Sequence, residues 1–164
     1  MKTSEKIKNG YYGIGIFHGK SEENIGTLWR SAFILDADFI FTIGKRYKTQ
    51  CTDTPKAYRH IPLFHYDNWD DFLAHTPYNC PICAVELDDR AVSLDEYEHP
   101  ERCIYLLGAE DHGIPQDVLN RCRDVVQIPG RVCYNVAVAG SIVMYDRQAK
   151  NRASVQRGEV HHEG

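Results

Sequence analysis

The chain is 164 residues long, 43% hydrophobic and 26% charged, with a formal net charge of −4. That length suits one domain with a sizeable core and is short for two, and no apolar run approaches the roughly 18 residues that span a membrane. The negative balance argues against nonspecific attraction to nucleic acid, which draws on Lys and Arg against phosphate.

Residues 1–10 are polar; they read as a flexible lead-in without a signal peptide and place the protein by default in the cytosol. YYGIGIF, residues 11–17, has the short apolar, aromatic and β-branched content of a strand. Its GIG invites a dinucleotide-binding reading, but the third glycine of that fingerprint would fall on His18, and the two present lie inside the strand. After a loop at 18–23, Asn24 is expected to cap a helix reaching Leu35, with Ile25, Leu28, Trp29, Ala32 and Phe33 at helical spacing. Arg30 falls mid-helix, where position alone makes it an ordinary solvated side chain. DFIFTIG, 38–44, is a second apolar strand. The segment 45–60 then gathers Lys45, Arg46, Lys48, Lys56 and Arg59 against Asp53 alone, with Tyr47 and Tyr58 interleaved, as a phosphate-contacting loop would.

PLFHY reads as a short strand and NWDDFLAHT as a short helix with Trp69, Phe72 and Leu73 facing inward; PICAVEL follows as a strand ending at Glu86 and Leu87. Cys80 and Cys83 share a CPIC spacing, but without a second pair or nearby histidines they read as small core residues, and no metal is expected. All six cysteines (Cys51, Cys80, Cys83, Cys103, Cys122 and Cys133) are expected to be reduced thiols. Residues 86–101 are acidic, with Glu86, Asp88, Asp89, Asp95, Glu96, Glu98 and Glu101 against Arg90.

The apolar runs Ile104–Leu107 and Val125–Ile128 look like buried parallel strands, each followed by a loop and a helix. Gly108 and Gly113 bracket the first loop, where a missing Cβ lets backbone approach a ligand. A brief helix over 114–122 follows; Pro129 and Gly130 then punctuate the second loop, and Asn135 opens an apolar helix to about Lys150. The polar tail, 151–164, reads as disordered. Strands alternating with helices over 11–150 make an α/β domain, a mostly parallel sheet with helices on both faces.

Three segments, in order, resemble the motifs of the SpoU/TrmH branch of the SPOUT methyltransferases. Asn24, Gly26 and Arg30 in NIGTLWRSA match an Asn-x-Gly-x-x-x-Arg helix, LLGAEDHGIP a Gly-x-Glu-x-x-Gly loop, and IPGRVCYNVAVAGSIVMYD an Ile-Pro segment leading to a Ser-Leu-Asn helix start. Cys133 stands where the family has serine, and the segment before it is shorter. Cysteine keeps the size with a weaker hydrogen-bond donor, and in a buried position it would be inert.

The resemblance implies a deep C-terminal trefoil knot, a homodimer, and S-adenosylmethionine held against Glu86, Leu87, Leu107, Gly108, Gly113, Ile128, Pro129, Cys133, Asn135 and Val136. It implies methyl transfer to a ribose 2′-hydroxyl of RNA, tRNA rather than ribosomal RNA, with Arg30, Asn24, Glu110 and Asn135 as the catalytic set. Arg30, Lys45, Arg46, Lys48, Lys56 and Arg59 would contact the substrate. His112 falls on a position the motif leaves variable. The alternative is a noncatalytic knotted module binding RNA or a protein.

Overall fold

The computed structural model describes residues 10–47 and 60–158. Strands β1 (Tyr11–Phe17), β2 (Phe39–Ile43), β3 (Leu63–Tyr66), β4 (Ile82–Val85), β5 (Val92–Ser93), β6 (Arg102–Leu107) and β7 (Asp124–Gln127) form one sheet in the order β3-β2-β1-β6-β4-β7-β5. Every pairing between these strands is parallel. From β1 the chain steps outward through β2 to β3, then crosses back to build the other half from β6, β4, β7 and β5. Sheet order therefore reverses between β1 and β6, the kind of switch point at which open α/β sheets bind ligands.

Alternation along β1 sends Tyr12, Ile14 and Ile16 to one face, where they pack with Ile25, Leu28 and Trp29 of α1 (Glu22–Ile34) and with Val143 and Met144 of α4 (Val136–Gln156). Phe17, Phe39, Phe41 and Ile43 lie in the core of the other face with Phe72 of α2 (Trp69–Ala74) and Val118 and Leu119 of α3 (Gln116–Leu119). The GIG of β1 belongs to this packing. A Cβ on Gly13 would lie 2.2 Å from the Phe39 ring, and one on Gly15 2.4 Å from the Phe41 carbonyl oxygen. The two glycines let the β2 aromatics lie over β1, which is a packing role and no nucleotide fingerprint.

Several sequence expectations are corrected. Asn24 does not cap α1: Ser21 is the N-cap, its hydroxyl accepting from the Asn24 N–H at 3.4 Å, and Glu22 and Glu23 fill the acidic first turn. The helix over 114–122 shrinks to α3, because Pro115 sits in extended conformation at its N-cap. Helix α4 continues through 151–156, six residues expected to be disordered. A two-stranded extension inside the acidic stretch, β5 on β7, went unforeseen because Val92 and Ser93 are too few to show a period. Cys80, Cys83, Cys103 and Cys122 are buried, and burial pushes the thiols of Cys80 and Cys122 up, Cys122 to about 11.

Helix α4 is anchored by a buried polar cluster. Arg147, 1% exposed, donates to the carbonyls of Pro100 and Glu101 at 2.7 Å each and lies over the Tyr12 ring, 4.9 Å from its centroid. This fixes α4 against the loop entering β6 and so aims its N-terminus at the carboxyl edge of the sheet. Among the described residues no helix is long and apolar enough to cross a membrane.

Candidate cofactor and substrate site

The loops leaving β4, β6 and β7 meet at one edge of the sheet and enclose a cleft of about 630 Å³. Glu86, Leu87, Leu107, Gly108, Gly113, Ile128, Cys133, Asn135 and Val136 all line it; of the cofactor positions named from sequence, Pro129 does not. The Pro129 carbonyl accepts from the Tyr134 hydroxyl at 3.3 Å, so this residue shapes the loop from behind.

Two glycines bring backbone to this wall. Gly108 lies against Gly113, so that a Cβ on Gly108 would come 2.5 Å from the Gly113 carbonyl carbon. Gly113 itself has φ 62, the left-handed region that side chains disfavour, and its N–H donates to the Ala109 carbonyl at 3.0 Å. Glu86 staples the loop from across the cleft, one carboxylate oxygen accepting from the Ile114 N–H at 3.0 Å and the other from its neighbour Leu87 at 2.9 Å.

At the mouth, side chains from the three motif segments form one hydrogen-bonded chain. Asn135 caps α4, its Oδ1 accepting from Ala137 and Val138 at 2.9 and 3.3 Å. Its Nδ2 is left to donate to Asn24 Oδ1 at 3.0 Å, and Asn24 Nδ2 donates in turn to Glu110 Oε1 at 2.9 Å. Each amide has one orientation that satisfies both neighbours, because Glu110 can only accept. The N–H groups of Lys20 and Ser21 also donate to Glu110, at 2.9 and 3.2 Å. Partial burial pushes the Glu110 carboxyl up, but these hydrogen bonds prevail and hold it below the ordinary range.

Arg30 is placed apart from this chain. Six residues beyond Asn24, it lies about 240° around the axis at about 3.6 residues per turn, on the exposed face of α1 with Glu23, Thr27 and Ile34. Lys45 and Arg46 are exposed after β2, whereas Lys48, Lys56 and Arg59 lie outside the described residues. Cys133 is exposed on the cleft and not buried, since the short loop 128–135 has no layer above it. Sequence reasoning missed Ser21 and Lys20. Ser21 was legible, as a serine followed by two glutamates marks a helix start; Lys20 contributes through its backbone, which leaves no side-chain signal.

Among the described residues no three His, Cys, Asp or Glu side chains gather as a metal site. A parallel α/β sheet with a cleft of this size at the carboxyl ends of β4, β6 and β7 defines a protein built to hold a nucleotide-sized ligand at its sheet edge. The chain belongs to the SpoU rRNA methylase family, whose model matches residues 14–145.

No curated protein matches the chain. Solved structures do. An AdoMet-bound rRNA methyltransferase from Sinorhizobium meliloti is 19% identical with a TM-score of 0.76, over 89% of this chain and 60% of its own. A structure concerned with 2-OH methylation of C/U34 on tRNA is 21% identical with a TM-score of 0.76, over 88% of this chain and 99% of its own. The TrmH/SpoU tRNA modifying enzyme of A. aeolicus is 19% identical with a TM-score of 0.75, over 90% of this chain and 77% of its own. At these identities the likeness establishes the fold.

Proposed function

We propose that the protein is an S-adenosylmethionine-dependent RNA methyltransferase acting on a ribose 2′-hydroxyl, on tRNA in preference to ribosomal RNA, as a cytosolic homodimer with a trefoil knot formed where residues after Ile128 pass under the loops at Leu87 and Gly108. The observation that carries this reading is the Asn24, Glu110 and Asn135 chain: three family segments meet in one hydrogen-bonded unit at the mouth of the cleft. The preference for tRNA is favoured by the relative described for tRNA 2-OH methylation, which this chain matches along 99% of its length.

The cleft fits the cofactor. Its volume of about 630 Å³ lies within the roughly 300–1,000 Å³ usual for small-molecule sites. Gly108 and Gly113 let the two ends of their loop pack against each other, which brings main chain, a source of donors and acceptors for an adenine and a methionine backbone, to the cleft. When bound, S-adenosylmethionine supplies an electrophilic sulfonium methyl. The chain's own residues must then orient a ribose and ease the loss of a weakly acidic proton.

Asn24, Glu110 and Asn135 fix the relative positions of α1, the 108–113 loop and α4. Arg30, exposed on α1, holds the phosphate beside the target ribose and stabilises the developing alkoxide, completing the partner subunit's site. The proton passes to a phosphate oxygen or water, because a guanidinium stays protonated far above neutral pH. Lys45 and Arg46, with Lys48, Lys56 and Arg59 of the same segment, contact RNA phosphates.

A noncatalytic knotted module is the second reading, favoured by Cys133 in the family's serine position and by the net charge of −4. Calorimetric titration with S-adenosylmethionine, with mass measured by light scattering, separates the two. Binding to a dimer, followed by methyl transfer to tRNA transcripts that Arg30→Ala abolishes while cofactor affinity persists, supports the enzyme. A folded dimer that binds no cofactor overturns it.

A further inference from the structure

Beside the cofactor cleft lies a second cavity of about 590 Å³, lined by Phe17 to Lys20, by Lys45 and by part of the 109–115 loop. The two share one wall, since Ala109, Asp111, His112 and Gly113 line both. Its buried part is apolar, with Phe17, Gly19 and Ala109, while His18, Lys20, Lys45, Asp111, His112 and Pro115 form the exposed part, where Asp111 pairs with Lys20 and lies 3.4 Å from His112 Nε2.

His18 is held there at a cost. Its φ of 51 is an uncommon conformation for a residue with a side chain, and its N–H is tied to the Ile43 carbonyl at 2.8 Å. The imidazole packs edge-on against Phe17, ring centroids 4.4 Å apart, in space that exists because residue 44 is glycine: a Cβ there would lie 2.6 Å from His18 Nδ1. Lys45 Nζ donates to the Lys20 carbonyl and, among the described residues, pairs with no carboxylate; Lys20 is paired with Asp111. Because the Lys20 and Ser21 N–H groups hold Glu110, this cavity and the polar chain at the cleft mouth are one mechanical unit.

An apolar recess with Lys45 at its opening, where Asp111 is already paired with Lys20, one loop away from a cofactor cleft, matches a single unstacked nucleotide: the base face prefers the apolar walls and imidazoles, the phosphate Lys45. Enzymes that act on one nucleotide commonly draw it out of its stack into such a pocket. We infer that this cavity receives a nucleobase of the RNA substrate, with its phosphate against Lys45 and with His18 and His112 flanking the base. The inference rests on the RNA-methyltransferase reading above and names the subsite that takes the target strand.

The test is NMR of protein carrying 13C-labelled histidine, saturated with S-adenosylhomocysteine and titrated with each of the four nucleoside 5′-monophosphates, with unphosphorylated nucleosides and inorganic phosphate in parallel. At least one monophosphate should shift both His18 and His112 signals saturably, more tightly than phosphate or nucleoside alone. Lys45→Ala should weaken that binding about fivefold or more. His18→Asn, which tolerates the left-handed backbone, should raise the KM for RNA while S-adenosylmethionine affinity stays within about twofold.

No response at His18 to any nucleotide overturns the inference, as does a response matched by phosphate alone, which would mark a simple anion site. Methyl transfer to RNA by a protein whose His18 is silent sinks this inference and leaves the enzyme reading standing. Nucleotide binding at His18 without any methyl transfer sinks the enzyme reading and leaves the cavity as a nucleotide site.

Discussion

The Asn135 side-chain amide donates to Asn24 Oδ1 at 3.0 Å, joining two residues 111 positions apart in the chain. With Glu110 at its other end, this link makes the entry of α4, the first turn of α1 and the 108–113 loop mutually dependent. Asn24 is the joint, so its replacement should be felt at both ends. Asn24→Ala removes both bonds and is expected to cost about 1 kcal/mol of stability and at least about tenfold in kcat/KM. Asn24→Asp should be worse, because it sets a second carboxylate against Glu110 and raises that group's pKa. Urea unfolding and methyl-transfer kinetics on the two variants check this; an Asp variant as active as wild type would remove the chain from the mechanism.

The close approach of Gly108 to Gly113 predicts a sharp response to one methyl group. A Cβ at position 108 would meet backbone at 2.5 Å, and backbone cannot rotate aside as a side chain can. Gly108→Ala should weaken S-adenosylmethionine binding by at least about tenfold and cost about 1–3 kcal/mol of stability through loop displacement. Calorimetric titration reads the first and thermal unfolding the second. Unchanged affinity would show that the cofactor does not rest against this loop.

Cys133 is exposed on the cleft, whereas Cys80, Cys83, Cys103 and Cys122 are buried with thiols pushed up by burial. Among these five, iodoacetamide should alkylate Cys133 first in the native protein, and saturating S-adenosylmethionine should slow that reaction by at least about fivefold. Peptide mapping after timed alkylation measures both. Equal labelling with and without cofactor would place the cofactor away from the 128–135 loop.

The buried ring of His99 gives the fold a pH dependence. His99 Nδ1 lies 2.6 Å from the Tyr105 hydroxyl and Nε2 2.7 Å from Asp146 Oδ2. Arg147 donates to the Tyr105 oxygen at 3.1 Å, so the phenol O–H points to Nδ1 and the neutral ring donates from Nε2 to Asp146. Burial, against the pull of Asp146, depresses this histidine to about 4 from an ordinary 6.5. Between those values the unfolded chain binds the extra proton and the folded one does not. Stability is therefore full above about pH 6.5 and falls, by up to about 3 kcal/mol, as pH drops toward 4. Urea midpoints measured across this range should show that slope, flattened in His99→Gln; parallel curves for the two proteins would contradict it.

Much of the candidate site was legible before any coordinates, because its residues are marked by type and spacing. Glycines bracket the 108–113 loop, Asn135 starts a helix, and the apolar runs of β6 and β7 are buried on both faces, so they carry no alternation that could mislead. Where the reading slipped, a local rule competed with a distant contact. Asn24 has the residue type of a cap, and Ser21 took that place while Asn24 turned its amide toward Glu110, 86 positions away. Helix α4 ran past Lys150 into 151–156 because Asn151, Ala153 and Ser154, in a segment polar by composition, are half-buried.

The sequence by itself determined the α/β class and the strands other than β5, which follow from local periodicity and turn chemistry, and its resemblance to a family pointed to the residues that line the cleft, Pro129 excepted. Tertiary structure alone decided that β6 inserts between β1 and β4, that Asn24, Glu110 and Asn135 share one hydrogen-bonded chain while Arg30 faces outward, and that His18 and Lys45 border a second cavity. These are contacts between segments tens of residues apart. They are set by which strand edges pair and which faces pack, and that choice is made by the whole chain at once.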